Sequence, residues 1–142
     1  MRSKKIDGLN LKNKYILESN CGAGIILDYI RKKTNNTYGL DDKIYKDYLL
    51  KKKHSFYNSL DEIIKDKLLF DVVFSFSELE HKKNPLKFLK KMNKIIRKNG
   101  KIILRIPNYN NIYKYLLGYN FLKYDFRESH NYYFSEKNLD KL

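Results

Sequence analysis

The sequence has little of several features that mark other classes of protein. It holds one cysteine in 142 residues, so no disulfide can form within the chain, and a reducing compartment is expected. No apolar run approaches the roughly 18 residues that a transmembrane helix needs. The basic start at Met1–Lys5 is not followed by an apolar stretch, which argues against a signal peptide. These absences predict a cytoplasmic protein without a membrane span.

Acidic residues are also few, since 16 Asp and Glu stand against 30 Lys and Arg, and the formal charge is +14. Only five of the basic residues are Arg, the Lys residues are spread along the chain, and Ala23 is the only alanine, as an AT-rich coding sequence would produce. A surface built for nucleic acid more often clusters its charge and uses Arg. We therefore favour compositional bias over a polyanion-binding surface. The charge would still promote weak, salt-sensitive binding to nucleic acid.

The length and the 42% of hydrophobic residues predict one domain with its own core. We find no repeat and no linker, and expect a single domain over residues 1–142. Residues 15–108 form its core, and residues 109–142 are an aromatic-rich segment with ten of the 21 aromatic side chains. We interpret the aromatic residues from Tyr109 to Phe126 as a lid or as core rather than as a base-stacking platform.

Strand-like and helix-like segments alternate along residues 15–106. The five predicted strands are Tyr15–Glu18, Thr37–Leu40, His54–Tyr57, Phe70–Phe76 and Lys101–Ile106. The four helices predicted between them are Ile25–Lys33, Lys43–Lys52, Leu60–Lys67, and one that begins at Pro85 and ends at Asn99-Gly100. This order predicts an α/β fold with a parallel sheet covered by helices on both faces.

Three of these helices carry a candidate inner stripe. For Ile25–Lys33 the stripe is Ile26, Leu27 and Ile30. For Lys43–Lys52 it is Ile44, Tyr48 and Leu49, and for the helix at Pro85 it is Leu86, Leu89, Met92 and Ile96. Asn84 is placed to cap the helix at Pro85, and Ser135 is placed to cap a short helix near the end of the chain.

The turn after the first strand is the first sign of a binding site. Ligands of open parallel sheets bind beyond the carboxyl ends of the strands. Gly22 and Gly24 would let the backbone approach a ligand there, and Asp41, about 20 residues later, could accept both hydroxyls of a ribose. The alternative is that the glycines only permit tight packing and that Asp41 only caps the next helix.

Seven ordered patterns between residues 15 and 142 resemble motifs of class I S-adenosylmethionine-dependent methyltransferases, of the group with an L-E-H motif after strand four. They are Leu17–Gly24 (E-x-G-C-G-x-G in the family), Gly39–Asp41 (G-h-D), Phe70–Val73 with Glu78–His81 (F-D-V-V and L-E-H), Asn84–Leu89 (N-P-x-x-F-L), Lys98–Lys101 (K-P-G-G), Ile106–Asn108 (V-P-N) and His130–Ser135 (H-x-x-x-F-S). One departure is Asn20, which replaces the first Gly of the turn.

The resemblance implies a Rossmann-like doubly wound parallel sheet of about five strands in the order 3-2-1-4-5. It also implies a chain truncated at both ends, which lacks the family's last two strands. The implied cofactor is S-adenosylmethionine. Its methionine portion would lie among Glu18, Asn20, Cys21, Gly22 and Gly24, its ribose at Asp41, its adenine near Asn58, and its methyl group near Ser75, Ser77 and His81.

The implied reaction is a direct SN2 transfer in which positioning does most of the work. His81 and His130 are the candidate bases, because His titrates near neutral pH. His81 could instead only orient its loop, and Cys21 is interpreted as a packed residue rather than a nucleophile. Some relatives hold a metal through an acid-x-x-E-H pattern. Ser77 stands where that acid would be, so the sequence predicts no metal.

Three functions stay open at this point. The first is a methyltransferase acting on a small-molecule acceptor. The second is an inactive or partial methyltransferase-like module that works with a partner chain, or as a homodimer joined through an exposed edge of strand five. The third is a basic RNA-binding or RNA-methylating protein, which the +14 charge favours but the segment Ser75–Glu78 does not.

Overall fold

The computed structural model describes residues 6–110, Leu116 and residues 129–142. The basic start at Met1–Lys5 and most of the aromatic stretch between Tyr109 and Phe126 therefore lie outside the described residues. None of the helices in the described part is both long and apolar enough to cross a bilayer.

Five parallel strands form one sheet in the order β3-β2-β1-β4-β5, which confirms the predicted strand order. Their bounds are β1 Ile16–Ser19, β2 Thr37–Leu40, β3 Ser55–Tyr57, β4 Phe70–Phe76 and β5 Ile96–Arg105. β1 is central, and Ile16 is in register with Thr37 on one side and Val72 on the other. The predicted α/β doubly wound architecture is therefore confirmed.

The sheet has a hydrophobic core on each face, because the side chains of β1 and β4 alternate between the two. Leu17 and Val73 belong to one core, and Ile16, Val72 and Phe74 belong to the other. All four residues of β1 are buried. An apolar sequence on both faces is what a strand in the middle of a covered sheet requires.

Helices connect the strands and cover both faces. Their bounds are α1 Ile25–Arg31, α2 Lys46–Lys51, α3 Leu60–Lys65, α4 Pro85–Lys94 and α5 Glu136–Leu139, with 3-10 turns at Lys43–Tyr45 and Leu79–His81. The side chain of Asn84 accepts a hydrogen bond from the Lys87 N–H at 2.8 Å, and Ser135 accepts one from Asn138 at 3.3 Å. Both predicted caps are therefore confirmed.

The predicted inner stripe of α1 is confirmed, since Ile26, Leu27 and Ile30 are buried. The stripe of α4 is confirmed at Met92, and Leu89 and Ile96 pack partly buried against the same core. It is wrong at Leu86, which is 40% exposed, and it missed Pro85 and Phe88, which are buried. This face brings the large Phe88 ring into the core together with Met92 and Ile95, at the spacing i, i+4, i+7.

In the preceding connection, the predicted helix Lys43–Lys52 is a 3-10 turn followed by the six-residue α2. Its only buried residue is Leu49, because the Asp42 side chain caps a tight turn at Ile44 and leaves that side chain 76% exposed. Tyr48 lies at the surface beneath the Lys52 ammonium group.

Asn99-Gly100 does not end the helix as predicted, since α4 stops at Lys94 and β5 begins at Ile96. The strand register jumps from Phe70–Ile96 to Val72–Lys101, so the intervening residues form an irregularity within β5. Asn99 has a φ of 67°. A Cβ on Gly100 would lie 2.9 Å from the Arg97 carbonyl oxygen. The pair therefore makes a tight turn within the strand run.

The carboxylate of Asp71 joins the residues just before β1 to this irregular part of β5. It accepts hydrogen bonds from the Tyr15 N–H at 2.8 Å and the Arg97 guanidinium at 2.6 Å, and Lys14 lies at 3.3 Å. Burial alone would raise the pKa of Asp71, but these hydrogen bonds and charges outweigh burial and hold the pKa below its usual value. The carboxylate therefore stabilises the fold when it is ionised.

We predict that Asp71→Asn lowers the unfolding free energy at pH 7 by about 1–3 kcal/mol, the usual cost of losing charged hydrogen bonds. Because the folded pKa lies below the unfolded value of about 4, this stabilisation is present above pH 4 and is lost as the pH falls below it. Urea unfolding from pH 7 to pH 3 measures both effects. Asp61→Asn is the control, since its exposed pair with Lys91 should contribute less than about 1 kcal/mol. Equal acid sensitivity of Asp71→Asn and the parent chain would contradict this role.

Candidate cofactor site

The turn after β1 is built from left-handed residues. Asn20, Gly22 and Gly24 have φ values of 59°, 52° and 70°. Asn is the non-glycine residue that best tolerates this conformation, so Asn20 can occupy the position without breaking the turn. Its N–H donates to the Leu40 carbonyl at 2.9 Å, and its side-chain amide donates to the Ser77 carbonyl at 3.3 Å. Asn20 therefore links the ends of β1, β2 and β4.

Asp41 joins the same turn to the end of β2. Its Oδ2 accepts the Gly22 N–H at 2.6 Å, and its Oδ1 accepts the Asp42 N–H at 2.7 Å. Each carboxylate oxygen has two lone pairs, so each can accept one further hydrogen bond. The two backbone contacts fix the carboxylate and leave it able to accept two hydroxyl groups.

The two glycines of the turn face different surroundings. A Cβ on Gly22 would meet nothing within 4 Å, so the backbone there borders open space. A Cβ on Gly24 would lie 2.5 Å from the Leu49 methyl and 3.8 Å from the His54 ring. Gly22 therefore offers close backbone approach to a ligand, while Gly24 permits the packing of α1 against α2.

Glu18 near the end of β1 and Cys21 within the turn are both buried. Burial, assisted by the negative charges of Glu18 and Asp41, raises the pKa of the Cys21 thiol to about 12. A Cβ on Gly39 would lie 2.8 Å from the Cys21 sulfur. The thiol is therefore protonated and packed at neutral pH, which supports its interpretation as a packing residue.

A cavity of about 370 Å³ opens beyond the ends of β2 and β3. Its walls include Leu40, Asn58, Leu60, Glu78, Lys82 and Phe88. Asn58, the predicted adenine contact, is exposed, and its N–H donates to Glu62 at 2.9 Å. Leu40, Leu60 and Phe88 form the apolar part of the lining, and the rest is polar or charged and includes four lysines. The cavity lies near the end of β2, which Asp41 follows.

The segment after β4 brings the other predicted residues to this edge of the sheet. The Ser75 hydroxyl is buried and donates to the Glu78 carboxylate at 2.7 Å, and Lys82 pairs with Glu78 at 2.8 Å. Ser77 has a φ of 53°, and its N–H donates to the Arg105 carbonyl at 2.8 Å. Sequence reasoning did not select Glu78 as a site residue, although its spacing of four from Lys82 was a signal of a pair.

The two predicted catalytic histidines lie together. The ring centroids of His81 and His130 are 4.8 Å apart, with an interplanar angle of 74°. The Asn131 side chain donates to the His81 carbonyl at 2.7 Å. The third histidine, His54, is buried between Thr37 and Asp28 and serves the packing of α1. The loop after β4 thus contacts two other parts of the chain. Ser77 contacts Asn20 in the turn after β1, and His81 contacts His130 near the C-terminus.

Comparison with known proteins gives this arrangement a family. The family model described as "Methyltransferase domain" matches residues 3–142. No curated protein matches the chain.

Solved structures share the fold at low identity. A methyltransferase structure from Bacillus halodurans has a TM-score of 0.73 at 15% identity. The match covers 99% of this chain and 64% of the Bacillus chain. An S-adenosylmethionine-dependent methyltransferase from Archaeoglobus fulgidus has a TM-score of 0.69 at 16% identity. The match covers 99% of this chain and 63% of the Archaeoglobus chain. A Haloferax volcanii methyltransferase, solved with the activator Trm112, has a TM-score of 0.70 at 14% identity. The match covers 99% of this chain and 69% of the Haloferax chain.

The chain spans less than two thirds of the length of the first two of these structures. The match to the family model nevertheless extends over almost all of this chain, and the strand order agrees with the predicted fold. The chain belongs to the methyltransferase domain family.

Proposed function

We propose that the chain binds S-adenosylmethionine at the turn after β1 and transfers its methyl group to a small-molecule acceptor. The observation that carries the proposal is the Asp41 carboxylate, which the Gly22 N–H fixes at 2.6 Å beside open space. The ribose would donate its two hydroxyls to the free lone pairs of Asp41. The methionine portion would run past Gly22, and the adenine would enter the cavity at Asn58.

When bound, S-adenosylmethionine would supply a methyl group activated on its sulfonium, and its transfer to an acceptor lone pair would release the neutral thioether. The protein's main contribution is to hold the two reactants in line. Glu18 and Asp41 place negative charge near the turn, which favours a cationic ligand. If the acceptor is a weakly acidic hydroxyl or amine, His81 or His130 takes its proton. The small-molecule acceptor itself rests on the resemblance to the L-E-H group.

A partner-dependent module is the second candidate. The matched Haloferax methyltransferase was solved with an activator protein, and β5 lies at the edge of the sheet. In the described ranges, β5 pairs only with β4, so its outer side can accept another strand. Sedimentation tests this candidate: a chain that is monomeric at micromolar concentration and transfers methyl groups unaided would exclude it.

We predict that S-adenosylhomocysteine binds the folded chain and that Asp41→Asn weakens this binding by about 10- to 100-fold. Losing the charge of a hydrogen-bonded carboxylate costs about 1.5–3 kcal/mol. Isothermal titration calorimetry measures both affinities. Asp42→Asn is the matched control, since Asp42 is exposed and caps only the next turn. No binding by the folded parent chain at about 1 mM, which corresponds to about 4 kcal/mol, would refute the proposal. An unchanged affinity in Asp41→Asn would also refute it.

A second prediction separates the two glycines. Gly24→Ala should lose about 1–3 kcal/mol more unfolding free energy than Gly22→Ala, because its methyl group would collide with Leu49 in the core. Gly22→Ala should keep the fold, with a cost of about 1–2 kcal/mol for its left-handed conformation, and should weaken cofactor binding. Urea unfolding and calorimetry of both variants provide the comparison. A larger loss of stability in Gly22→Ala would contradict this division of roles.

A further inference from the structure

The loop after β4 contains a buried carboxylate that the proposed function does not use. Glu80 is 1% exposed, and neither of its carboxylate oxygens has a hydrogen-bond partner among the described residues. A carboxylate buried in this way loses its hydration without compensation, which is costly. A positively charged ligand at this position would remove that cost.

Two imidazoles stand beside this carboxylate. One ligand atom from each of Glu80, His81 and His130 can be chosen so that all three lie within 4.8 Å of one another. One carboxylate with two imidazoles is a donor set that divalent transition metals bind, and zinc sites with open coordination positions use it.

The backbone holds these donors together across a long separation in sequence. The N–H groups of Asn131 and Tyr132 donate to the Glu80 carbonyl at 2.8 and 3.2 Å. The Asn131 amide donates to the His81 carbonyl at 2.7 Å. These contacts fix the two residues that follow His130 against the loop after β4, so backbone hydrogen bonds help to hold the three donors together.

The hydrogen bond of His81 selects a tautomer that can bind a metal. Its Nδ1 lies 2.7 Å from the Ser129 carbonyl oxygen, which can only accept. Nδ1 therefore carries the proton, and the lone pair of the neutral ring is on Nε2. Metal-binding histidines commonly donate their second N–H to a backbone carbonyl in this manner.

We propose that Glu80, His81 and His130 bind one divalent transition-metal ion. Three protein ligands leave a coordination position open for water or for an oxygen atom of a bound molecule. The ion would also fasten residues 129–142 to the loop after β4. The sequence predicted no metal because Ser77 occupies the position of an acid, but the structure supplies His130 as a donor that this pattern does not contain. The proposal does not depend on Asp41 or on the turn after β1. A histidine whose lone pair binds the ion cannot also take a proton from an acceptor, so His81 and His130 would act as bases only in the metal-free chain.

The test is titration of the folded full chain with Zn²⁺ by calorimetry, and with Co²⁺ by visible absorption. We expect one ion per chain. Glu80→Gln and His130→Gln should each weaken binding by about 100-fold or more, since changes behind the ligands alone cost about 10- to 100-fold. Asp140→Asn removes an exposed carboxylate near α5 and should bind as the parent chain does.

Thermal unfolding gives a second readout. In a chelator, Glu80→Gln should be at least as stable as the parent chain, because it removes an uncompensated buried charge. Zn²⁺ should raise the midpoint of the parent chain and of Asp140→Asn, but not that of Glu80→Gln or His130→Gln. Asp41→Asn should keep its metal binding even where it loses cofactor binding, which separates this proposal from the previous one.

Two results would overturn the proposal. One is a folded parent chain that binds neither Zn²⁺ nor Co²⁺ at about 100 μM, because such a site would not stabilise the fold measurably. The other is an affinity in Glu80→Gln and His130→Gln equal to that of the parent chain, which would place the ion elsewhere.

Discussion

The hydrogen bond from the Gly22 N–H to the Asp41 carboxylate joins the two strand ends on which the candidate site depends. At 2.6 Å it requires Gly22 in a left-handed conformation and Asp41 directly after β2. This hydrogen bond places the Asp41 carboxylate next to the Gly22 backbone, which no side chain shields, so a ribose could contact both groups. The parallel pairing of β1 with β2 sets the distance between these residues, so the fold and the site share one constraint.

The alternation of strands and helices and the first half of the site could be predicted because their signals are local, whereas the strand order came from the resemblance to a known family. Each signal lies within the segment whose structure it indicates. Examples are the apolar strand Phe70–Phe76, the glycines after β1 and the acid after β2. The caps at Asn84 and Ser135 are likewise decided within four residues. Such features depend little on contacts with distant parts of the chain.

The predictions from sequence are wrong where contacts between distant parts of the chain determine which side chains are buried or where an element ends. Which face of α4 is buried depends on how Phe88 fits the core, and Asn99-Gly100 lies within β5 because Asp71 and Arg97 hold that segment against β4. The contact of His81 with His130 likewise depends on hydrogen bonds between segments about fifty residues apart. One sequence shows the residue types but not these pairings, and the buried Glu80 carboxylate became evident only from the structure.

A crystal structure of the chain grown with S-adenosylhomocysteine tests the proposed cofactor site most directly. We predict that the ribose hydroxyls lie within hydrogen-bond distance of Asp41, with the homocysteine portion along Gly22 and the adenine in the cavity at Asn58. A nucleoside bound at another edge of the sheet, or a ribose that does not contact Asp41, would contradict it.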